Sequence, residues 1–249
     1  MRFQAFFRFY AELNDFLPAE KRQRTFAHCF ELSSSVKDMI ESLGAPHTEV
    51  DLILVNGESV DFSYLVQDGD RVSVYPMFEA IDISPVLRVR PEPLREPRFV
   101  LDVHLGQLAV YLRMLGFDTL YRNDYEDAEL ARISSQEGRT LLTRDRGLLK
   151  RNIVTHGYCL RTTQPRQQLV EVLRRFDLLG SITPFLRCLH CNTLLETVDK
   201  ADISHNLPPK TVQYYNHFRR CPGCGRIYWQ GSHFKRMQQF VEGVLQNQA

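Results

Sequence analysis

The 249-residue chain has no apolar run near the roughly 20 residues that a membrane-crossing helix needs, so a membrane protein of that kind is not expected. Cysteine is scarce at six, and four of the six fall in two Cys-x-x-Cys pairs, 188/191 and 221/224. That spacing suits metal ligation in a reducing compartment and not the disulfide framework of a small secreted domain. Met1 leads directly into a strand-like pattern, so no secretory signal is read and a cytoplasmic location is expected. Net charge is nearly absent, at +1, but it conceals a division. Residues 1–82 carry 7 Lys/Arg against 14 Asp/Glu, residues 139–188 carry 10 against 3, and residues 210–237 carry 6 against none. A basic half beside an acidic one points to a polyanionic partner for the basic part, although arginines on helix faces are often only solvated. Composition is otherwise ordinary, 43% apolar and 24% charged, and the length suits two compact domains.

Residues 99–151 organise the rest. They read as strand, helix, strand, helix, strand, helix. Phe99-Val100-Leu101 ends on Asp102, and Leu105, Leu108, Ala109, Leu112, Met114 and Leu115 recur at helical spacing before Gly116. Thr119-Leu120-Tyr121 is a second strand. Asp127 reads as the N-cap of a helix over 128–136, with Glu129 in its first turn. Thr140-Leu141-Leu142-Thr143 is a third strand, ending on Arg144-Asp145. Such alternation implies parallel strands, whose sites form outside their carboxyl ends. Asp102 and Asp145 each sit at such an end, and Asp127 sits in a loop that follows the end of another strand, so the three could converge on one edge of the sheet. Clustered carboxylates repel one another, and the usual compensation is a divalent ion with oxygen ligands, here Mg²⁺ or Mn²⁺. One or two such ions can generate hydroxide and stabilise displacement at phosphorus. The plainer reading of an Asp after a strand is a helix cap or turn former.

The runs Asp102-x-x-Leu105-Gly106-x-Leu108-Ala109, Leu112-Arg113-x-Leu115-Gly116-x-Asp118-Thr119 and Leu141-Leu142-Thr143-Arg144-Asp145-Arg146 carry a family resemblance. From residue 99 to the C-terminus the chain resembles the RNase domain of the Mut7-C family, a branch of the PIN-like nucleases. The resemblance implies a PIN-like α/β domain with a C-terminal zinc ribbon and metal-dependent ribonuclease action. By position Asp102, Asp127 and Asp145 match the acids of such sites, with Asp124 and Glu129 competing for the middle role. No fourth acid follows soon after Asp145; the next are Glu171 and Asp177, which leaves the number of ions open.

Before this stretch, residues 1–82 read as ββαββ. Strands are expected over 3–10, 26–32, 50–55, 59–62 and 71–75. A helix follows the capping box Ser35-x-x-Asp38, and turns fall at Asn56-Gly57 and Asp68-Gly69-Asp70. The order resembles ubiquitin-like β-grasp domains of the small sulfur-carrier type. Those carriers require a free Gly-Gly end, whereas Pro76 and further residues follow here, so an acidic scaffold or interaction module with a protein partner is expected instead. Residues 83–98 hold four prolines and four arginines and read as a linker. The expected domains are therefore 1–82, β-grasp; 83–98, linker; 99–183, PIN-like; and 184–249, zinc ribbon with a terminal helix.

After Asp145, a short helix over 147–152, a strand near 158–161 and a helix over 167–176 that exposes Arg174 and Arg175 are expected. Arg144 and Arg146 flank Asp145, where a guanidinium can hold phosphate in bidentate fashion or simply balance the acids. Cys188, Cys191, Cys221 and Cys224 read as a four-thiolate tetrahedral zinc site, closed to water and hence structural. Cys29 and Cys159 lie in apolar runs and read as core residues. Around the ribbon, Tyr214, Tyr215, Phe218, Arg219, Arg220, Arg226, Tyr228 and Trp229 interleave aromatic and basic character. That suits stacking on unpaired bases beside phosphate contacts, with Arg219 and Arg220 as the nucleic-acid contacts, while Tyr228 also reads as ribbon core. The function expected is an Mg²⁺- or Mn²⁺-dependent endoribonuclease, with RNA as partner and no membrane. The alternative is an RNA-binding adaptor without catalysis.

Overall fold

The computed structural model describes residues 2–76, 88–89 and 97–246. Most of the expected linker, and residues 77–82 at the end of the expected first domain, lie outside these. The structure is a mixed α/β protein. Its first sheet holds β1 (Phe3–Phe9), β2 (Phe26–Phe30), β3 (Leu52–Val55), β4 (Glu58–Ser59) and β5 (Arg71–Tyr75), in the order β2-β1-β5-β3-β4, with α1 (Val36–Ser42) after β2. β1 and β5 pair in parallel, and the other neighbours are antiparallel. Alternation along β1 buries Ala5, Phe7 and Phe9, and Val36, Ile40, Ile53, Val72 and Val74 complete the core at 0–1% exposure. Ser35 caps α1 as its sequence suggests: its Oγ accepts from the Asp38 N–H at 3.1 Å and donates to Asp38 Oδ2 at 2.7 Å. Asn56 and Gly57 take φ of +53° and +93°, the left-handed pair a tight hairpin between β3 and β4 requires. β3 begins two residues later than expected because His47–Glu49 form a 3-10 turn. Cys29 is exposed on β2 and is not a core residue, since β2 alternates and Cys29 falls on its open face.

The next elements are β6 (Arg98–Leu101), α2 (Gly106–Met114), β7 (Asp118–Leu120), α3 (Asp127–Glu137), β8 (Thr140–Thr143), α4 (Arg146–Leu149), β9 (Gly157–Cys159) and α5 (Pro165–Arg175). β6 pairs with β7, and β8 with β9, both in parallel. Phe99, Val100 and Leu101 on β6 and Leu141 and Leu142 on β8 are 0–1% exposed, as strands covered on both faces must be. Gly116 ends α2 at φ +99°, and a Cβ there would lie 2.2 Å from the Thr183 carbonyl oxygen, so only glycine fits. Two expectations need correction. Glu126, not Asp127, occupies the N-cap of α3, and Asp127 is the first helical residue. Arg175 is buried at 8%, unlike exposed Arg174, because it lies three residues beyond Val172 on the packed face of α5.

The remaining elements are β10 (Glu196–Val198), α6 (Lys200–Ile203), α7 (Pro209–Tyr214), β11 (Phe218–Arg220), β12 (Ile227–Trp229) and α8 (Ser232–Gln246). β10, β11 and β12 form an antiparallel sheet, with α6 and α7 in the insert between β10 and β11. α8 reaches the α2 and α5 helices through Phe240, whose ring lies 4.7 Å from Tyr111 and 5.1 Å from the Arg166 guanidinium. The chain divides into two compact units, Met1–Glu96 with Glu126–Leu160, and Pro97–Tyr125 with Arg161–Ala249.

Candidate functional site

The cysteine pairs sit on two knuckles of matching geometry. In the first, the Cys188 N–H donates to the Thr193 carbonyl at 2.8 Å and the Asn192 N–H to the Cys188 carbonyl at 2.9 Å. In the second, the Cys221 N–H donates to the Arg226 carbonyl and the Gly225 N–H to the Cys221 carbonyl, both at 2.9 Å. The residue four past the first cysteine is left-handed in both, Asn192 at φ +71° and Gly225 at φ +72°. The sulfurs of the four cysteines all lie within 4.8 Å of one another, with Cys188 to Cys224 at 3.6 Å and Cys191 to Cys221 at 3.3 Å. Sulfurs about 2.3 Å from a tetrahedral zinc stand roughly 3.8 Å apart, so the cluster is compatible with a zinc ion held by four thiolates. Among the described residues, none of His190, His205 and His217 belongs to the group.

Neighbouring groups orient these sulfurs, and sequence reasoning missed most of them. The Tyr228 hydroxyl lies 3.1 Å from Cys188 Sγ and accepts from the Leu189 N–H at 3.2 Å. Burial, then the hydrogen bond to Cys188, pushes the Tyr228 hydroxyl well above the ordinary phenol range, so it remains a donor. Thr193 Oγ1 lies 3.4 Å from Cys191 Sγ. The first knuckle is also tied to β7 and α2. Asn192 Nδ2 donates to Asp118 at 2.8 Å, and its Oδ1 accepts from the Thr119 N–H at 3.0 Å. Arg113, 3% exposed on α2, donates to the carbonyls of Thr119, Leu189 and His190 at 2.9, 3.1 and 2.7 Å. A buried guanidinium satisfied by three carbonyls fixes the knuckle to β7. Asn192 carried a sequence signal, since it stands at the same offset from Cys188 as Gly225 from Cys221. Arg113 stood in the run that carries the family resemblance, but nothing marked it as buried, since an arginine within a helix normally reads as solvated.

Asp102, Asp124 and Asp145 are held by local hydrogen bonds. Asp102 follows β6, is buried at 9%, and accepts from the His104 N–H at 3.3 Å. Asp124 is exposed and gripped by Arg122 through two bonds of 2.9 and 2.7 Å, which holds its carboxyl below the usual range. These two belong to one compact unit, whereas Asp127, Glu129 and Asp145 belong to the other. Asp127 is exposed, with Arg151 3.9 Å from its Oδ2, and Glu129 is half-buried in the first turn of α3. Asp145 is exposed and caps α4, and both capping bonds, from the Gly147 and Leu148 N–H groups at 2.7 and 3.4 Å, fall on Oδ1. Its Oδ2 takes no part in that cap. The capping role anticipated for an Asp after a strand is therefore real for both Asp102 and Asp145.

The flanking Arg144 and Arg146 are exposed, and the Arg146 guanidinium stands 4.9 Å from the centroid of the Phe16 ring. On the ribbon, Arg219 and Arg220 are exposed on β11, with Arg219 donating to the Phe185 carbonyl at 2.9 Å and Arg220 facing Glu196 in the β10–β11 register. Tyr214 is 70% exposed, as a stacking surface needs, whereas Phe218 is buried at 2% and belongs to the ribbon core. The expectation that Phe218 stacks on bases is thus corrected: strand alternation sends it inward, opposite to Arg219.

Among the described residues no helix is long and apolar enough to cross a membrane. No curated protein and no solved structure matches the chain. Two family models do: residues 3–82 match the Mut7-C ubiquitin family, and residues 97–241 match the Mut7-C RNAse domain. With the β-grasp-like first sheet, the parallel strand pairs and the four-cysteine cluster, these matches establish that the chain belongs to the Mut7-C RNAse domain family and carries a ubiquitin-like domain ahead of it.

Proposed function

We propose that this member of the family is an Mg²⁺- or Mn²⁺-dependent endoribonuclease in which Asp102, Asp127 and Asp145 supply the acid chemistry. The observation that carries the reading is the match of residues 97–241 to the Mut7-C RNAse domain, with Asp145 standing just beyond a parallel strand. Carboxylate oxygens are the preferred ligands of a hard divalent ion, and Asp145 keeps Oδ2 outside its cap. Asp127 is the better middle acid. Both oxygens of Asp124 are engaged by Arg122, whereas Arg151 stands 3.9 Å from Asp127. When bound, such an ion supplies charge neutralisation and a water of lowered pKa.

The chain's own residues do the remainder. Capping bonds fix the orientation of Asp102 and Asp145 before RNA arrives, which removes an ordering cost from the reaction. In this reading exposed Arg144 and Arg146 hold phosphate oxygens, and exposed Arg219, Arg220 and Tyr214 hold backbone and unpaired bases. A zinc ion in the cysteine cluster would be structural, since four thiolates leave no position for water. A cytoplasmic setting suits two Cys-x-x-Cys pairs that gather four sulfurs at one point as metal ligands.

A panel of structured and single-stranded RNAs incubated with Mg²⁺, Mn²⁺ or EDTA tests the reading. Internal cuts that require metal are expected. The adaptor alternative is favoured by one observation, that capping alone accounts for Asp102 and Asp145; tight RNA binding without cleavage in any condition would select it.

A further inference from the structure

The ubiquitin-like domain does not stand free of β9 and α4, the elements that flank the strand ending at Asp145. Its 3-10 turn His47–Glu49 is buried, with His47 at 6%, Thr48 at 1% and Glu49 at 0% exposure. The partners of this turn lie around β9. His47 binds Glu41 through Nδ1 at 2.6 Å and reaches the Val154 carbonyl through Nε2 at 2.8 Å. Glu49 Oε1 accepts from the Cys159 N–H. The adjacent Leu160 N–H donates to the Thr143 carbonyl of β8 at 2.8 Å, so the Cys159 N–H faces away from β8. Glu49 therefore satisfies a donor on the outer edge of β9, where a sheet otherwise leaves unpaired groups.

Further contacts extend the same docking to α4. The Lys150 Nζ donates to the Glu41 carbonyl, and the Lys37 Nζ donates to Asn152 Oδ1 at 2.6 Å. Phe16, 6% exposed, lies beneath the Arg146 guanidinium. A Cβ on Gly157 would stand 2.5 Å from the Leu149 side chain, and 3.5 Å, an ordinary contact distance, from the Thr48 Cβ, so the turn packs directly against the start of β9. A buried carboxylate and a buried imidazole, each committed to a main-chain group 107 or 110 residues away, belong to a permanent interface.

We propose that the ubiquitin-like domain acts in cis, as a clamp in which Glu49, His47 and Phe16 are positioning residues for β9, α4 and Arg146, and so for the turn that holds Asp145. Its buried face is occupied by the chain itself and is not a docking site for a separate protein. The link to catalysis rests on the ribonuclease reading above; the docking does not.

The test uses the full chain with Glu49→Ala and the conservative Glu49→Gln, whose amide oxygen still accepts from Cys159. Amide hydrogen exchange is followed over 145–160, with 187–193 as an internal reference, and RNA cleavage is measured in parallel. Glu49→Ala is expected to raise exchange over 154–160 at least tenfold and leave 187–193 unchanged. It is expected to lower kcat about tenfold with KM within twofold, and Glu49→Gln restores both. Unchanged exchange in Glu49→Ala, or equal behaviour of the two variants, overturns the clamp. A wild-type chain that cuts no RNA overturns the ribonuclease reading, and exchange alone then decides the clamp. Where Glu49→Ala does not fold, Phe16→Leu keeps an apolar side chain but removes the ring under Arg146. Faster exchange over 145–152 is then expected, and unchanged exchange contradicts the proposal.

Discussion

Asn192 and Gly225 occupy the same place in the two metal knuckles, four residues past Cys188 and Cys221, with φ of +71° and +72°. Glycine adopts that conformation without cost, and asparagine tolerates it better than most side chains. The second knuckle uses the tolerant residue alone. The first uses the asparagine amide as well, to bind Asp118 and the Thr119 N–H. Replacing Asn192 by glycine should keep the backbone and lose both bonds, at about 2 kcal/mol of stability. Alanine should lose the same bonds and add strain of about 1 kcal/mol. Denaturant unfolding should rank wild type above Asn192→Gly above Asn192→Ala; equal stability of the two variants would contradict the role given to φ.

Arg113 joins the same knuckle to β7 through three carbonyls. Arg113→Met fills much of the volume and leaves those acceptors without their cation. A loss of about 3 kcal/mol is expected in thermal or denaturant unfolding. Coupling to Asn192 should also appear, because both act on Thr119 and on the knuckle. A double-mutant cycle with Asn192→Gly should therefore depart from additivity by more than about 0.5 kcal/mol.

The four-cysteine cluster should bind one zinc per chain, measurable by elemental analysis, and chelation should lower the unfolding midpoint. Tyr228→Phe removes only the hydroxyl beside Cys188 Sγ. Loss of such an orienting bond commonly weakens metal binding 10–100-fold, so zinc transfer to a competing chelator should rise about tenfold or more. Identical zinc retention in Tyr228→Phe would remove Tyr228 from the site.

Gly116 offers a backbone test. Its φ of +99° and the Thr183 carbonyl 2.2 Å from any Cβ make Gly116→Ala destabilising by on the order of 3 kcal/mol. Gly57, with φ +93° and open space around its Cβ position, should cost less, about 1 kcal/mol, because strain acts there without a clash.

Much of this was legible in the chain. Apolar runs such as 140–143 gave β8 to the residue, and Ser35-x-x-Asp38 gave the start of α1, because both patterns report local physics. Two Cys-x-x-Cys pairs specified a four-sulfur cluster through chemistry that admits few alternatives. What escaped was set by tertiary context. Arg175 and Arg113 look solvated by residue type yet are buried, Arg113 against carbonyls 76 and 77 residues away. Glu49 reads as one more charge of an acidic domain, and its meaning comes from Cys159, 110 residues away. Cys29 reads as core from its apolar neighbours, and strand alternation turned it outward.

Asp145→Asn is the variant that bears most directly on the ribonuclease reading. Asparagine is as good an N-cap as aspartate, so the amide oxygen can still accept from the Gly147 and Leu148 N–H groups while the charge is lost. Wild-type and Asp145→Asn chains should therefore unfold at similar midpoints, and RNA cleavage in Mg²⁺ or Mn²⁺ can be compared without a folding defect. The account predicts a fall in kcat of at least a hundredfold with RNA binding retained. Cleavage by Asp145→Asn at the wild-type rate would contradict it.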